Sequence, residues 1–212
     1  MKLLEMFAGS RSVGKVAEKM GWEVFSTDYE PFENIDLVKD IREITADDIP
    51  FIPDILWLSP PCQGFSVCTI GRNWNKEDNS PKSESAKLGL ELVEQAIRFI
   101  DYYSELNPNL IWFMENPRGM LRKLDIVKYL PMTTVTYCQY GNSSMKPTDI
   151  WSNHIFSEEN PNGWKPKPIC KNGAPCHVAA PRGSRTGIQG LDNAYERGKI
   201  PEKLVEEILQ SC

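Results

Sequence analysis

Over residues 1–150, short apolar runs alternate with stretches of helical spacing, and the runs end on residues of unusual chemistry or backbone freedom. That alternation predicts an α/β fold with a parallel sheet covered by helices on both faces. Lys2 to Phe7 reads as a strand ending in Ala8-Gly9-Ser10. Ser12 to Met20 has helical spacing, with Val13, Val16, Ala17 and Met20 on one face, Ser12 as N-cap and Gly21 as the stop. Trp22 to Ser26 is a second strand, leading to Asp28, and Ile52 to Leu58 a third, closed by Ser59-Pro60-Pro61-Cys62. Residues 62–83 read as a long polar loop. Ser85 to Leu106 is the longest helix, with Leu88, Leu92, Ala96, Phe99, Ile100 and Tyr103 in register. Leu110 to Met114 is an apolar strand running into Glu115-Asn116-Pro117, and Met132 to Tyr137 is another. Residues 157–190 hold five prolines with no clear periodicity and read as an irregular insert. Pro201 opens a last amphipathic helix that turns Leu204, Val205 and Ile208 inward.

In parallel sheets of this kind, ligands bind outside the carboxyl ends of the strands. Gly9, Asp28, Cys62 and Glu115 all fall there. Two prolines stiffen the backbone before Cys62, and Gln63-Gly64 permit a tight turn after it, a setting that suits an exposed nucleophilic cysteine. A carboxylate ending an apolar strand is costly unless paired or protonated, so Glu115 is a candidate proton or hydrogen-bond donor near neutral pH. Phe7-Ala8-Gly9-Ser10 allows close approach of a ligand to the backbone, and Asp28 suits a ribose diol. This arrangement indicates an adenosine-type cofactor and leaves open a nicotinamide dinucleotide or S-adenosylmethionine. Arg11 and Ser12 stand where a pyrophosphate would want glycines, which favours the latter. Pairing with the cofactor carboxylate and facing solvent are equal expectations for Arg11.

Taken together, these residues resemble the DNA cytosine-5 methyltransferases. Glu5-Met6-Phe7-Ala8-Gly9 is similar to that family's first cofactor motif, Asp28 to its ribose acid, and Asp40-Ile41 to the pair at the adenine. Pro60-Pro61-Cys62-Gln63 resembles the nucleophile motif and Glu115-Asn116-Pro117 the motif that holds the flipped base. Tyr195 and Ile200-Pro201-Glu202-Lys203-Leu204 resemble the last motif, whose helix returns to the cofactor pocket. The resemblance implies a Rossmann-like S-adenosylmethionine-dependent methyltransferase fold with a mixed, mostly parallel seven-stranded sheet. It implies cofactor contacts from Phe7, Ala8, Gly9, Ser10, Asp28, Tyr29, Asp40, Ile41 and Pro60. The chemistry implied is addition of the Cys62 thiolate to carbon 6 of cytosine, which makes carbon 5 nucleophilic, with Glu115 assisting at N3 and the base flipped out of DNA. The overall pattern is most similar to short, orphan-type phage and prophage members, whose setting includes restriction-modification.

The family's Gln-x-Arg-x-Arg stretch is altered. After Tyr140-Gly141, Lys146 takes one arginine position and Thr148 the other, leaving Lys146 as the expected cation and Arg182 or Arg185 as candidates to replace the lost charge. The target-recognition domain is reduced to residues 152–190, between a catalytic and cofactor-binding domain at 1–151 and a returning C-terminal segment at 191–212. A net charge of −5 excludes a long-range basic field. The basic stretches Arg72 to Lys82 and Lys165 to Arg185 read as solvated loops. The chain is therefore expected to read little sequence by itself, with weak specificity, an oligomer, a preference for single strands and a partner protein all open. Two alternatives stand beside this: the same chemistry on RNA or a free cytosine nucleotide, and a degenerate cofactor-binding partner of a complete methyltransferase. Thr148 and Arg11-Ser12 support the second, while intact Cys62 and Glu115 oppose it.

Six cysteines in 212 residues do not make a disulfide scaffold. Cys170, Cys176 and His177, with His154 as the other histidine, are candidate zinc ligands. Cys-x5-Cys-His is not a standard finger spacing, so loop packing is the simpler reading, and packing is also the reading for Cys68, Cys138 and Cys212. No apolar run approaches a membrane span and no signal-peptide layout opens the sequence, so the expected location is the cytoplasm.

Overall fold

The structure, a computed structural model, describes residues 1–179 and 193–212. In chain order its elements are β1 (Lys2–Met6), α1 (Gly14–Lys19), β2 (Glu23–Asp28), β3 (Leu37–Val38), β4 (Ile55–Leu58), α2 (Ile70–Asn73), α3 (Glu84–Leu106), β5 (Ile111–Pro117), β6 (Met132–Thr136), β7 (Pro147–Ser152), α4 (Ala194–Gly198) and α5 (Glu202–Leu209). Seven strands form one sheet in the order β3-β2-β1-β4-β5-β7-β6. All neighbours are parallel except β7, which runs antiparallel to both β5 and β6.

Strand alternation sends Leu4, Met6, Leu56, Leu58, Trp112 and Met114 to one face, where they pack with Val93, Ala96 and Ile100 of α3. Leu3, Ile55, Trp57 and Phe113 point to the other, against Val13, Val16 and Ala17 of the α1 region and Leu204, Val205 and Ile208 of α5. Helices therefore cover both faces, as the alternation of elements predicts. The chain reverses its winding between β1 and β4, and the carboxyl edge at this point is where a parallel sheet opens a crevice.

Several local expectations change. Ser12 does not cap α1: its hydroxyl meets that of Ser10 and accepts the Ile200 amide at 3.1 Å, while α1 begins one residue after Val13. The buried stripe of α3 runs through Ala86, Gly89, Val93, Ala96, Ile100 and Tyr103, and Leu88 lies on the solvent side. Ser83 caps this helix, accepting the Ala86 amide at 3.1 Å. The stretch 62–83 contains short helical turns and α2, pinned by the buried Trp74 stacked on Phe65. Strand β5 continues through Glu115 to Pro117, which keeps the carboxylate inside the sheet. Pro201 sits at the N-cap of α5 and not within its first turn.

Beneath the loop after β1, Glu5 is buried and its carboxylate accepts the amides of Val13 at 3.1 Å and Gly14 at 2.9 Å. It thus occupies the amide donors at the start of α1. Burial pushes this carboxyl up from its ordinary 4.5 to about 7, against the downward pull of the two amides and Arg11. A raised folded-state value means that folding takes up a proton between those two values. The Glu5 contribution is full below about pH 4.5 and is lost as pH rises to about 7. Relative to Glu5→Gln, the native chain should lose about 3 kcal/mol across that window. Urea denaturation of both proteins from pH 4.5 to 7.5 measures this, and parallel curves would refute it.

Candidate active site

The turn carrying Cys62 is fixed from several sides. The Ser59 amide bonds the Met6 carbonyl at 3.2 Å, and the Asn116 side-chain amide donates to the Pro60 carbonyl at 2.8 Å. Past the cysteine, the Gly64 carbonyl accepts both Asn73 Nδ2 at 3.1 Å and Trp74 Nε1 at 2.7 Å, and the Phe65 carbonyl accepts the Met120 amide at 2.8 Å. A Cβ on Gly64 would lie 2.6 Å from the Ser85 carbonyl oxygen, so the chain can pass α3 only as glycine. Cys62 is left half-buried on a rigid turn at the carboxyl end of β4.

Because β7 runs antiparallel, its first residues lie beside the last residues of β5 and β6, with Pro117 opposite Thr148 and Thr136 opposite Pro147. Lys146, just before β7, and Tyr137, just after β6, thus join Cys62 and Glu115 at one edge. Glu115 is buried, and Oε1 accepts the Tyr137 hydroxyl at 2.8 Å. Burial pushes its carboxyl up, while the Lys146 charge and the Tyr137 bond pull it down. Burial and the Glu115 charge push the Cys62 thiol up, and the charges of Lys146 and Arg197 pull it down. Lys146 Nζ donates to the Arg197 carbonyl at 2.7 Å and lies 4.6 Å from the centre of the Tyr137 ring. Its ammonium is pushed down by burial and held up by Glu115 and Cys62.

The structure therefore assembles the three expected residues, Cys62, Glu115 and Lys146, and adds Tyr137 and Arg197. Thr148 is fully buried, its hydroxyl turned to the Lys146 carbonyl at 3.2 Å, and supplies no charge. Arg182 and Arg185 lie outside the described residues; among the described residues the arginine whose charge reaches Cys62 is Arg197. The available signal for it was its position two residues after Tyr195. Tyr137 carried only the signal of ending a strand.

On the other side of the switch point, Phe7, Gly9 and Arg11 all have positive φ (57°, 47° and 53°), folding the loop after β1 tightly. The Ala8 amide bonds the Thr27 carbonyl at 3.0 Å. Asp28 accepts the Gly9 amide on one oxygen at 2.8 Å and the Glu30 amide on the other at 3.0 Å, leaving each a lone pair for a diol. No atom lies within 4 Å of where a Gly9 Cβ would stand, so a ligand can reach this backbone. Lys39 ties its amide to the Asp28 carbonyl at 2.9 Å, placing Asp40 and the buried Ile41 next to the acid. Asp40 is ion-paired with Arg42 at 2.6 Å, and Tyr29 is exposed beside Asp28. Tyr195 returns to this side, its ring 5.5 Å from that of Phe32. Arg11 follows neither expectation. It is buried, donates from Nε to Ser26 Oγ at 3.0 Å and pairs with Glu18, bracing α1 from below.

The model of the C-5 cytosine-specific DNA methylase family matches residues 3–130. The chain belongs to that family. It is 29% identical over 225 residues to a probable DNA (cytosine-5)-methyltransferase of Frog virus 3 (isolate Goorha), covering all of both sequences. Among solved structures it is similar to the Entamoeba histolytica methyltransferase EhMeth, with TM-score 0.48 and 15% identity, over 74% of this chain and 54% of that one. A second is the S. pombe Dnmt2 methyltransferase, with TM-score 0.45 and 15% identity, over 72% and 49%. The chain spans about half the length of these two structures.

For this methylase the proposed histidine ligand His154 is corrected. Its Nε2 lies 2.9 Å from the Ser211 carbonyl and its ring packs on Phe113, away from Cys170, Cys176 and His177. The residue that joins those three is Cys138.

The opposing charges at Cys62 set its reactivity. Its alkylation by iodoacetamide, followed by peptide mass spectrometry, should titrate with a midpoint above that of an ordinary cysteine. Glu115→Gln should shift the midpoint down and Lys146→Ala should shift it up. Identical profiles in all three proteins would refute the electrostatic coupling.

Proposed function

We propose that this chain transfers the methyl group of S-adenosylmethionine to carbon 5 of cytosine in DNA through a covalent Cys62 adduct at carbon 6. The observation that carries this reading is the convergence of Cys62, Glu115 and Lys146 on one strand edge, with the cofactor-type loop across the switch point.

The cofactor choice is supported by Glu5. In a dinucleotide site the first amides of the helix receive a phosphate. Here the Val13 and Gly14 amides are already taken by the Glu5 carboxylate, and Arg11 is buried below. The loop suits a ligand with an adenosine and no phosphate, held by Asp28 at the ribose and by the Phe7–Ser10 backbone, with Asp40, Ile41, Tyr29 and Pro60 around it. When bound, S-adenosylmethionine supplies the electrophilic methyl group.

The remaining steps belong to side chains of this protein. Lys146 and Arg197 stabilise the Cys62 thiolate. Glu115, its carboxyl pushed up by burial and oriented by Tyr137, donates in its protonated form to N3 as sulfur bonds carbon 6. The electron pair moves to carbon 5, which takes the methyl group. A base then removes the carbon 5 proton, the carbon–sulfur bond breaks, and N3 returns its proton to Glu115, which restores the ring, the thiolate and the acid. To reach Cys62 the cytosine must leave the stack. Residues 1–151 and 191–212 form the catalytic part in this reading. The insert at 152–190 leaves little surface for reading sequence, so a second copy or a partner protein supplies specificity. No helix among the described residues is long and apolar enough to cross a membrane.

Incubation with methyl-labelled S-adenosylmethionine and DNA, RNA or deoxycytidine nucleotides in parallel tests this. Label should appear at carbon 5 of DNA cytosine and be absent with Cys62→Ala. Glu115→Gln should lower the rate by about 10²–10⁴. DNA carrying 5-fluorocytosine should trap the wild type covalently. Transfer that survives Cys62→Ala, or no transfer to DNA from the wild type, would overturn the proposal.

A further inference from the structure

Outside the active site, one cluster combines ligand chemistry with geometry. Cys138 lies in the short helical turn Tyr137–Tyr140 that follows β6. Cys170, Cys176 and His177 come from the irregular insert. Their four ligand atoms, three sulfurs and one imidazole nitrogen, all lie within 4.8 Å of one another. Cys170 Sγ is 3.2 Å from Cys176 Sγ and 3.7 Å from His177 Nδ1, and Cys176 Sγ is 3.5 Å from the same nitrogen. Tetrahedral zinc with ordinary bond lengths would place sulfurs about 3.8 Å apart and sulfur and nitrogen about 3.5 Å apart. Cys170, Cys176 and His177 are already within about 0.6 Å of those separations, and Cys138 Sγ stands within 4.8 Å of each of them.

We propose that this chain binds one zinc ion through Cys138, Cys170, Cys176 and His177 Nδ1, in a closed structural Cys3His site that clamps the insert to the catalytic edge of the sheet. Three observations support the assignment beyond the distances. First, the insert is anchored at its start by the buried Trp164 and by the Lys167–Glu207 ion pair at 3.1 Å, whereas residues 169–178 are mostly exposed and form no helix or strand; there the Cys170 amide donates to the Thr136 hydroxyl at 2.9 Å and the Val178 amide to the Ser143 carbonyl at 2.9 Å. A stretch of that kind gains most from a metal staple. Second, Gln139 directs its side-chain amide at Cys176 Sγ, 3.8 Å away, as an outer-shell donor to a thiolate would. Third, a Cys170–Cys176 disulfide would use two of the groups and leave Cys138 and His177 converging on nothing. Three sulfurs and an imidazole select a soft-to-borderline divalent ion that takes four ligands, which is zinc. Binding releases the three thiol protons and leaves the site with one net negative charge.

The placement gives the ion a positioning role. Cys138 directly follows Tyr137, whose hydroxyl holds Glu115. A metal on Cys138 fixes the turn from which that tyrosine reaches into the active site, and also anchors the chain leading toward residue 180.

Metal analysis of the full chain, purified reduced and without chelators, should find about one zinc per chain. Adding Co2+ to the metal-stripped protein should give the thiolate-to-cobalt charge-transfer and tetrahedral d–d bands, saturating near one equivalent. Cys138→Ser and His177→Ala should each weaken Co2+ binding by more than tenfold, since even outer-shell changes cost roughly 10–100-fold. His154→Ala should leave it unchanged. The proposal fails if reduced wild-type protein neither retains zinc nor gives the cobalt spectrum. It fails equally if protein purified under reducing conditions still carries a Cys170–Cys176 disulfide, or if His154→Ala weakens binding as much as His177→Ala. The cobalt readout on wild type is independent of whether any variant folds, and of whether the chain methylates DNA.

Discussion

The hydrogen bond from Asn116 to the Pro60 carbonyl joins the two halves of the candidate site. Glu115 belongs to β5 and Cys62 to the turn beyond β4, so their relative position depends on how firmly that turn is held against the neighbouring strand. Backbone pairing between β4 and β5 ends at Leu58 and Met114. Beyond it, prolines 60 and 61 offer no amide hydrogen, so a side chain must bridge the gap. Asn116 does so from a fully buried position. The residue beside the glutamate is thus as much a part of the geometry as the glutamate itself, and the adjacency of the two in sequence has a mechanical reason.

Around this joint the site resolves a charge problem. A thiolate and a carboxylate side by side repel each other, and burial penalises both. Lys146 and Arg197 oppose that penalty at the sulfur, while the Tyr137 hydroxyl satisfies the carboxyl. A chain with five more acidic than basic side chains can therefore still set two cations beside this buried cysteine.

Much of this was legible from residue order alone, because strands of a parallel sheet are buried on both faces and stand out as apolar runs. Gly9, Asp28, Cys62 and Glu115 could be placed at strand ends for that reason. Strand β7 was not legible. Pro147-Thr148-Asp149 forms no apolar run, yet Asp149 is buried because Thr134 donates to it at 2.8 Å and Arg122 pairs with it at 3.2 Å. Those partners are tertiary and have no signature in the local pattern. The same limit hid Arg11, whose burial depends on Ser26 and Glu18, and Arg197, which reaches the site only through the return of the C-terminal segment. Cys138 looked like a packing residue because its three companions lie more than thirty residues further on, whereas His154 looked like a ligand only because histidines are scarce.

That returning segment has a consequence for how the site is completed. Ile200 donates to Ser12 in the loop after β1, α5 seals the sheet face under α1, and the Arg197 carbonyl receives the ammonium of Lys146. These contacts close a circle between segments far apart in the sequence. Whichever part folds first, neither the loop after β1 nor the ammonium of Lys146 has its final support until residues 195–208 have packed back onto them.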